Sequence, residues 1–267
     1  MTDLPYFDLL LSGQGEPAAE AFSRFVHWGY WEDPSRATLD RAEFAAAMER
    51  LNGLVVDAAG PKDGERVLDA GCGFGGTLAG LSKRLPAAKL TGLNIDGRQL
   101  VLARGNAPGA EFVEGDACAM PFADGSFDRV LAVECIFHFP SRLRFLKEAA
   151  RVLKPGGTVG LSDFVPPDPG APESLPGRWV RRRIEAGYGT GGAGWEDGGY
   201  AAMAAKAGLV VTLDRDITKE VQPTYPMLLD LIGKSKGGER MLWPTRLLSW
   251  VSKLGAVRYR VVGFRKS

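Results

Sequence analysis

The stretch from Val67 to Gly76, which reads Val-Leu-Asp-Ala-Gly-Cys-Gly-Phe-Gly-Gly, constrains the fold more than any other part of the chain. A short apolar run ends at Asp69 and then breaks into glycines, and the segment from Thr77 to Leu85 that follows is compatible with a helix. This order predicts a strand, a tight turn and a helix. Glycines let the backbone approach a ligand closely, and the free N–H groups of the first helical turn point towards it. The turn therefore predicts a binding site for a small polar ligand.

The composition is that of an ordinary globular protein, and it argues against several classes. The chain has 267 residues with 33 basic and 32 acidic side chains, so it lacks the basic excess of a general nucleic-acid binder. Its three cysteines, Cys72, Cys118 and Cys135, form no C-x-x-C pair, which predicts neither a disulfide framework nor a metal site and indicates a reducing compartment. No apolar run approaches the roughly 20 residues of a membrane span, and the first residues carry Asp3 and Asp8 instead of a basic leader. We therefore expect a cytoplasmic protein with no membrane span and no nucleic-acid partner.

Asp69 bears on which ligand the glycine turn binds. Gly71, Gly73 and Gly76 also fit the dinucleotide fingerprint G-x-G-x-x-G, so their spacing alone does not decide between cofactors. A carboxylate two residues before the first glycine repels a pyrophosphate, but it suits a ligand that carries an ammonium group, directly or through water. The stretch resembles the first motif of the class I S-adenosylmethionine-dependent methyltransferases. That resemblance implies that Asp69, Gly71 and Gly73 bind S-adenosylmethionine, with S-adenosylhomocysteine as the product.

Residues 1–60 precede the first predicted strand and are expected to form a helical cap. Apolar residues recur near helical spacing between Arg36 and Ala59, beginning with Leu39. Before this helix, the segment from Phe25 to Trp31 contains two tryptophans, a tyrosine and a histidine. Such a segment either packs the cap on the core or closes over the cofactor, where an aromatic face attracts a sulfonium and excludes water. Its Gly-Tyr-Trp run resembles an element that precedes the fold in small-molecule methyltransferases, which implies that Tyr30 contacts the cofactor.

Two further strand ends provide candidate ligands for a nucleoside. Asn94 ends the second predicted strand and Gln99 lies in the following helix, where both side chains can hydrogen-bond ribose hydroxyls. The run Gly-Leu-Asn-Ile followed by glutamine resembles a variant found in sterol and tocopherol methyltransferases, which implies that Ile95 also contacts the cofactor. After the third strand, the pattern Gly-Asp-Ala, Pro-Phe, Ser-Phe-Asp resembles the family's next signature. It implies that Asp116 accepts the adenine amino group and that the Ala117 N–H donates to a ring nitrogen, although an Asx turn is the structural alternative for Asp116.

Three polar residues near the ends of the fourth and fifth predicted strands are candidates for the chemistry. His138 follows strand four, at the edge of an open α/β sheet where ligands bind, and an unperturbed imidazole pKa of about 6.5 suits a base for a hydroxyl or amine. A hydrogen-bonded surface histidine is the alternative. Asp163, at the end of strand five, can orient that imidazole or bind acceptor hydroxyls. Glu134 can hold the methionine ammonium, bind a cationic acceptor or stabilise a carbocation, and the sequence does not separate these roles.

The predicted elements, taken in order, indicate an α/β protein with a Rossmann-like, doubly wound, mostly parallel sheet of seven strands. Residues 61–165 form the cofactor-binding core, and residues 201–267 form its C-terminal part. The Lys-Pro-Gly-Gly run from Lys154 to Gly157 resembles the family closely and predicts the turn into strand five. Residues 166–200, which are rich in proline and glycine, are expected to form a substrate lid over the sheet.

The combined motifs resemble an S-adenosylmethionine-dependent methyltransferase of small molecules. The acceptor that this implies is a secondary metabolite or a lipid-like or isoprenoid compound, methylated on oxygen, nitrogen or carbon. Within the predicted lid, Arg178 and the run Arg181 to Arg183 form either a solvated helix face or a site for an anionic acceptor. An NAD-dependent oxidoreductase and a catalytically inactive protein that only binds the cofactor are the alternatives. The sequence leaves homo-oligomerisation open.

Overall fold

The computed structural model describes residues 5–12, 15–168, 175–189 and 198–267. Within these residues the chain forms one seven-stranded sheet and helices that pack on both of its faces. The strands are β1 (Arg66–Ala70), β2 (Lys89–Asn94), β3 (Glu111–Glu114), β4 (Phe127–Val133), β5 (Leu153–Val165), β6 (Leu209–Asp216) and β7 (Arg258–Lys266). The helices are α1 (Pro5–Ser12), α2 (Pro17–Ala21), α3 (Arg41–Ala59), α4 (Gly76–Arg84), α5 (Gly97–Asn106), α6 (Arg142–Val152), α7 (Leu175–Tyr188), α8 (Tyr200–Ala207), α9 (Thr224–Lys234) and α10 (Glu239–Lys253).

The strand order confirms the predicted sheet. It is β3-β2-β1-β4-β5-β7-β6, with parallel pairing from β3 to β5 and with β7 antiparallel to both β5 and β6. The central strands β1 and β4 are buried along most of their length, because helices cover a parallel sheet on both faces. Helix α3 packs against β4, β5 and β7, whereas α6 packs against β5 and α8 against β6. The carboxyl ends of β1 to β4 therefore meet at one edge of the sheet, where the site lies.

Helix α3 begins later than the sequence pattern predicts. The pattern favours a start near Arg36, but the side chain of Asp40 accepts a hydrogen bond from the Glu43 N–H at 2.9 Å and caps a helix that begins at Arg41. Leu39 therefore lies before the helix and is 54% exposed, so its assignment to the apolar face was wrong. The helix ends at Gly60, whose φ of +59° is the left-handed conformation typical of a glycine C-cap.

The segment around strand five also differs from the sequence-based description. The residues from Lys154 to Gly157 lie within the bounds of β5, and the pairing with β4 jumps from Phe127–Leu153 to Arg129–Thr158, so the predicted turn takes the form of a register shift. Within the predicted lid, residues 175–188 form helix α7, so Arg178 and the run Arg181 to Arg183 lie on a helix, as one of the two interpretations of these residues requires. The Gly-rich part of that segment, residues 190–197, lies outside the described residues. Among the described helices, none combines the length and the apolar character needed to cross a membrane.

Candidate active site

A cavity of about 480 Å³ lies at the carboxyl edge of β1, β2, β3 and β4. Its walls come from the turns after these strands and from the N-terminal segment, which closes one side. Most of the residues that the sequence singles out line it together. These are Asp69, Gly71, Gly73, Asn94, Ile95, Gln99, Asp116, Ala117, Glu134 and His138.

Asp69 places a carboxylate inside the cavity without any protein partner. The side chain is only 1% exposed, and neither Oδ1 nor Oδ2 has a hydrogen-bond partner within the described part of the chain. Burial raises the pKa of Asp69 to about 7, and the nearby Thr77 hydroxyl opposes this shift only in part, because it donates its hydrogen bond to the Asn52 Oδ1 at 2.8 Å. A buried carboxylate without a partner is costly, so this position is suited to a ligand that brings a positive charge or hydrogen-bond donors.

The glycine turn leaves room for the backbone to approach a ligand. Gly71 has a φ of +82°, and a Cβ there would lie 2.7 Å from the Cys135 Sγ, so both conformation and space require glycine. Gly73 has a φ of +52°, and a Cβ there would meet no protein atom within 4 Å. A larger side chain at position 73 would therefore fill space that belongs to the cavity. Helix α4 begins just after this turn, so its first N–H groups lie at the same wall.

The residues expected at the ribose position hydrogen-bond to each other. The Asn94 Nδ2 donates to the Gln99 Oε1 at 2.8 Å, and the Asn94 Oδ1 accepts from the Ile95 N–H at 2.8 Å. Both side chains are buried at the cavity wall. This arrangement fixes the Gln99 amide at the cavity wall, where its NH2 group also lies beside the Asp96 carboxylate. Ile95 is 57% exposed and provides an apolar surface at the same place.

Asp116 closes an Asx turn and also lines the cavity. Its Oδ1 accepts a hydrogen bond from the Cys118 N–H at 2.7 Å, which is the geometry of an Asx turn after β3. The same residue lines the cavity next to Ala117, so its Oδ2 is left for a ligand. One oxygen therefore holds the loop, and the other can accept from a donor in the cavity.

Glu134 lies directly after β4 in a strained backbone conformation. Its φ of +50° lies in the left-handed region, which non-glycine residues adopt at a cost of about 1–3 kcal/mol. The Glu134 Oε2 accepts from the Trp28 N–H at 2.8 Å and from the Tyr259 hydroxyl, and the Glu134 N–H donates to the Ser162 Oγ at 3.0 Å. Burial raises the pKa of Glu134 to about 8, while the hydrogen bonds from Tyr259 and Trp28 oppose the shift. The network thus holds a titratable carboxyl group at the cavity wall.

His138 lines the cavity, but its pKa is lower than that of an exposed histidine. It ends a short 3-10 turn after β4, and its Nε2 lies 3.0 Å from the Tyr6 hydroxyl of α1. Its Nδ1 is buried and has no partner within the described part of the chain. Burial lowers the pKa of His138 to about 3, so the imidazole is neutral at physiological pH and is a weaker base than an exposed histidine. This pKa lies far below the unperturbed value of about 6.5 on which the general-base interpretation of His138 depends.

The structure does not bring two of the candidate residues to the cavity. Asp163 is fully buried, and its carboxylate is held by Arg142 at 2.7 Å and by the Tyr200 hydroxyl at 2.7 Å, so it does not orient the His138 imidazole. Tyr30 is buried as well, and its hydroxyl accepts from Arg215 at 2.7 Å instead of facing the cavity. For Tyr30, the packing role proposed for the aromatic segment fits the structure better than the lid role.

Two cavity residues that were not singled out from the sequence are Tyr6 and Phe7 of α1, which close the cavity beside His138. Phe25 and His27, which belong to the aromatic segment expected either to pack the cap or to cover the cofactor, also line the cavity. The His27 Nδ1 bonds to the Trp28 carbonyl at 2.8 Å and must donate there, which leaves the Nε2 as a buried acceptor without a partner. Burial lowers the pKa of His27 to about 4. Its position between aromatic residues is the one sequence signal that marks it, whereas nothing local marks Tyr6.

Comparisons with known proteins agree with this geometry. A family model described as a methyltransferase domain matches residues 68–161. Methyltransferase GfsG of Streptomyces halstedii is 33% identical over 217 residues, which cover 78% of this chain and 74% of that protein. A phthiotriol/phenolphthiotriol dimycocerosates methyltransferase of Mycobacterium ulcerans is 39% identical over 145 residues, and the match spans 54% of that protein.

Solved structures with the same fold extend over nearly the whole chain. The [4+2]-cyclase SpnF aligns with a TM-score of 0.74 and 25% identity, covering 98% of this chain and 93% of that one. Geranyl diphosphate C-methyltransferase from Streptomyces coelicolor A3(2), solved with S-adenosyl-L-homocysteine, aligns with a TM-score of 0.74 and 18% identity over 93% of this chain and 91% of that one. The methyltransferase relatives argue against the oxidoreductase alternative. The chain belongs to the class I S-adenosylmethionine-dependent methyltransferases that act on small molecules.

Proposed function

We propose that this methyltransferase acts on an apolar small molecule of natural-product or lipid type, with Glu134 beside the reacting atoms. The observation that carries the proposal is the pairing of a partnerless buried carboxylate, Asp69, with a titratable Glu134 in one cavity. The first suits the cofactor's ammonium, and the second lies where the turn after β4 forms the opposite wall of the cleft. The name of the mycobacterial relative, which refers to phthiotriol, supports a lipid-like acceptor.

The residues of the cavity fit S-adenosylmethionine. The Asp69 carboxylate matches an ammonium group, the Gln99 Nε2 can donate to ribose hydroxyls, and the Asp116 Oδ2 can accept from the adenine amino group. The open space at Gly73 lets the cofactor lie against the turn. When bound, S-adenosylmethionine supplies an electrophilic methyl group on a sulfonium.

The acceptor side of the cavity is predominantly apolar. Tyr6 and Phe7 pack on each other with ring centroids 4.4 Å apart, and Val133 and Phe139 extend the same wall. Tyr6 also stacks on His138, with centroids 5.8 Å apart. A pocket lined in this way excludes water and takes up an apolar ligand, while a few polar groups orient it. Glu134 and His138 are the polar groups of this wall.

The pKa values rank the two candidate bases. A buried carboxyl with a pKa of about 8 accepts a proton far more readily than an imidazole with a pKa of about 3. Glu134 is therefore the base when the acceptor carries a proton that must leave, and its carboxylate stabilises a cationic transition state when carbon is methylated. His138 stays neutral and, with the Tyr6 hydroxyl at its Nε2, orients the acceptor through hydrogen bonds. In this proposal the general-base role expected of His138 passes to Glu134.

The test is a screen of polyketide and isoprenoid alcohols with methyl-labelled S-adenosylmethionine, read by label in organic extracts and by S-adenosylhomocysteine formed. We expect a labelled product from wild type and little from Glu134→Gln, while both proteins bind S-adenosylhomocysteine equally. The solved neighbour described as a [4+2]-cyclase makes a second candidate worth testing, in which the fold performs a reaction without methyl transfer. Conversion of a substrate without release of S-adenosylhomocysteine would support that candidate and contradict ours.

A further inference from the structure

Helix α10 presents an exposed stripe with an apolar centre. Trp243 and Trp250 are seven residues apart, so they lie on the same side of the helix two turns from each other, and Leu254 follows at the C-terminus of the helix. These three side chains are 56%, 58% and 63% exposed. The other side of α10 is buried in the protein. Large exposed apolar side chains aligned on one helix are unusual in a protein that has nothing to cover them.

Basic residues flank the apolar centre on both sides. Arg240 lies on one flank, and Arg246 and Lys253 lie on the other, all of them exposed. Glu239, which is exposed in the first turn four residues before Trp243 and so lies on the same side, is the only acidic residue of this helix. We call Arg240, Trp243, Arg246, Trp250, Lys253 and Leu254 the α10 face.

The neighbouring helix α7 is also basic and also exposes a tryptophan. The two helices pack together, with the Tyr188 hydroxyl 2.8 Å from the Thr245 Oγ1 and with Gly187 against Pro244. Helix α7 carries Arg178 and Arg181 to Arg183 on its exposed side, together with a Trp179 that is 52% exposed. Counted together, α7 and α10 contain seven basic and two acidic residues, although the whole chain has a net charge of only +1.

The α10 face is separate from the candidate active site. No residue of α7 or α10 lines the cavity. Neither the binding of the cofactor nor the packing of the core accounts for two exposed tryptophans between basic side chains. Among the described residues, nothing covers the α10 face.

We propose that the α10 face docks on an anionic lipid surface. Tryptophan prefers the boundary between headgroups and acyl chains, and arginine and lysine beside it reach the anionic headgroups. A helix with an apolar centre and basic flanks lies in the plane of such a surface, with its axis parallel to it. Each basic side chain near an anionic leaflet adds to the attraction, so Arg240, Arg246 and Lys253 of the α10 face match this partner.

A second copy of this chain fits the α10 face less well. A two-fold interface brings the same patch of both copies together, so the basic flanks of the two α10 helices would oppose each other. Like charges placed face to face disfavour association. The lipid surface has the opposite charge and the matching apolar layer.

The experiment is sedimentation of the full chain with vesicles of equimolar phosphatidylglycerol and phosphatidylcholine, compared with phosphatidylcholine alone. We expect binding to the anionic vesicles only, with a blue shift of tryptophan emission, and release by high salt. The double variant Trp243→Ser, Trp250→Ser should bind at least about tenfold more weakly, because both apolar anchors are lost. Val101→Ser is the matched control, since Val101 is 67% exposed on α5, far from this helix in sequence, and should bind as wild type does.

Two charge-reversal double variants measure how much the basic residues of the α10 face contribute to vesicle binding. Arg246→Glu with Lys253→Glu should abolish binding, whereas Lys83→Glu with Lys89→Glu, which changes the net charge equally elsewhere, should reduce it much less. All variants should keep wild-type affinity for S-adenosylhomocysteine, which shows that they are folded.

Two results would overturn the proposal. The first is wild-type protein that stays in the supernatant with anionic vesicles. The second is a concentration-dependent dimer of the wild type in analytical ultracentrifugation, together with a monomeric tryptophan double variant. That result would assign the α10 face to contact between copies.

Discussion

The unpartnered carboxylate of Asp69 predicts that cofactor binding depends on pH. In the ligand-free protein, burial raises the pKa of Asp69 to about 7, so the group is largely protonated in mild acid. A bound ammonium stabilises the carboxylate and lowers its pKa, so the ligand binds the ionised form and must displace the proton below pH 7. Affinity for S-adenosylhomocysteine is therefore full above the ligand-free pKa and falls as the pH drops through it.

The size of the pH effect on the dissociation constant follows from the pKa of Asp69 in the ligand-free protein. If the bound carboxylate has a pKa below about 5, the dissociation constant rises about 30-fold between about pH 8 and about pH 5.5, which corresponds to about 2 kcal/mol. At pH 7, binding releases about half a proton, since half of the Asp69 groups are then protonated. The pKa values of the cavity histidines, His27 and His138, are lowered, so both stay neutral over this pH range. Glu134, with a pKa of about 8, is the other group of the cavity wall that titrates close to this pH range.

Isothermal titration calorimetry in buffers of different ionisation enthalpy measures both the dissociation constant and the protons released. Asp69→Asn should bind more weakly at pH 8 and lose most of the pH slope. Asp57→Asn is a matched control, because Asp57 is an exposed carboxylate on α3 paired with Arg84 at 3.2 Å. A wild-type dissociation constant that stays within twofold from about pH 5.5 to about pH 8 would show that binding does not depend on ionisation of Asp69. A slope that persists in Asp69→Asn would instead assign the titration to Glu134.

Three further predictions concern individual residues of the cavity. Asp116→Ala should weaken S-adenosylhomocysteine binding by about 1–3 kcal/mol and an analogue without the adenine amino group much less, and equal losses would mean that Asp116 only holds its loop. Gly73→Val should abolish calorimetric binding while circular dichroism stays native, because the new side chain enters the cavity; unchanged binding would rule out the assignment of the turn. For an acceptor that loses a proton, kcat/KM should rise with pH and reach a plateau above the Glu134 pKa of about 8, because the base must be ionised. Glu134→Gln should lower turnover by roughly 10²–10⁴-fold and remove this pH dependence. A profile that Glu134→Gln leaves unchanged would count against Glu134 as the base.

The sheet and the cofactor motif could be predicted because their signals are local. The run from Val67 to Gly76 encodes strand, turn and helix within ten residues, and positive φ angles at Gly71 and Gly73 are the conformations that glycine allows. The end of each strand adds one more polar residue, such as Asn94 or Asp116. Because parallel strands end at the same edge, these residues converge without any long-range information.

The remaining features depend on contacts between distant parts of the chain. The Tyr6 hydroxyl reaches His138 across 132 positions, and nothing near either residue in the sequence indicates the pair. Asp163 has the right position at a strand end, but its partners Arg142 and Tyr200 take up its carboxylate. The pKa of His138 depends on burial, which the order of residues does not reveal. Tertiary packing therefore decided the roles that the local pattern left open.

The assignment of the cavity as the cofactor site can be tested by a crystal structure of the complex with S-adenosylhomocysteine. We expect the ligand in the cavity at the carboxyl edge of β1 to β4, with its ammonium within about 3.2 Å of an Asp69 oxygen or one water away. We also expect the adenine amino group at the Asp116 Oδ2 and the ligand sulfur towards the wall that carries Glu134. A ligand bound elsewhere, or one whose ammonium leaves Asp69 without a partner, would show that the assignment is wrong.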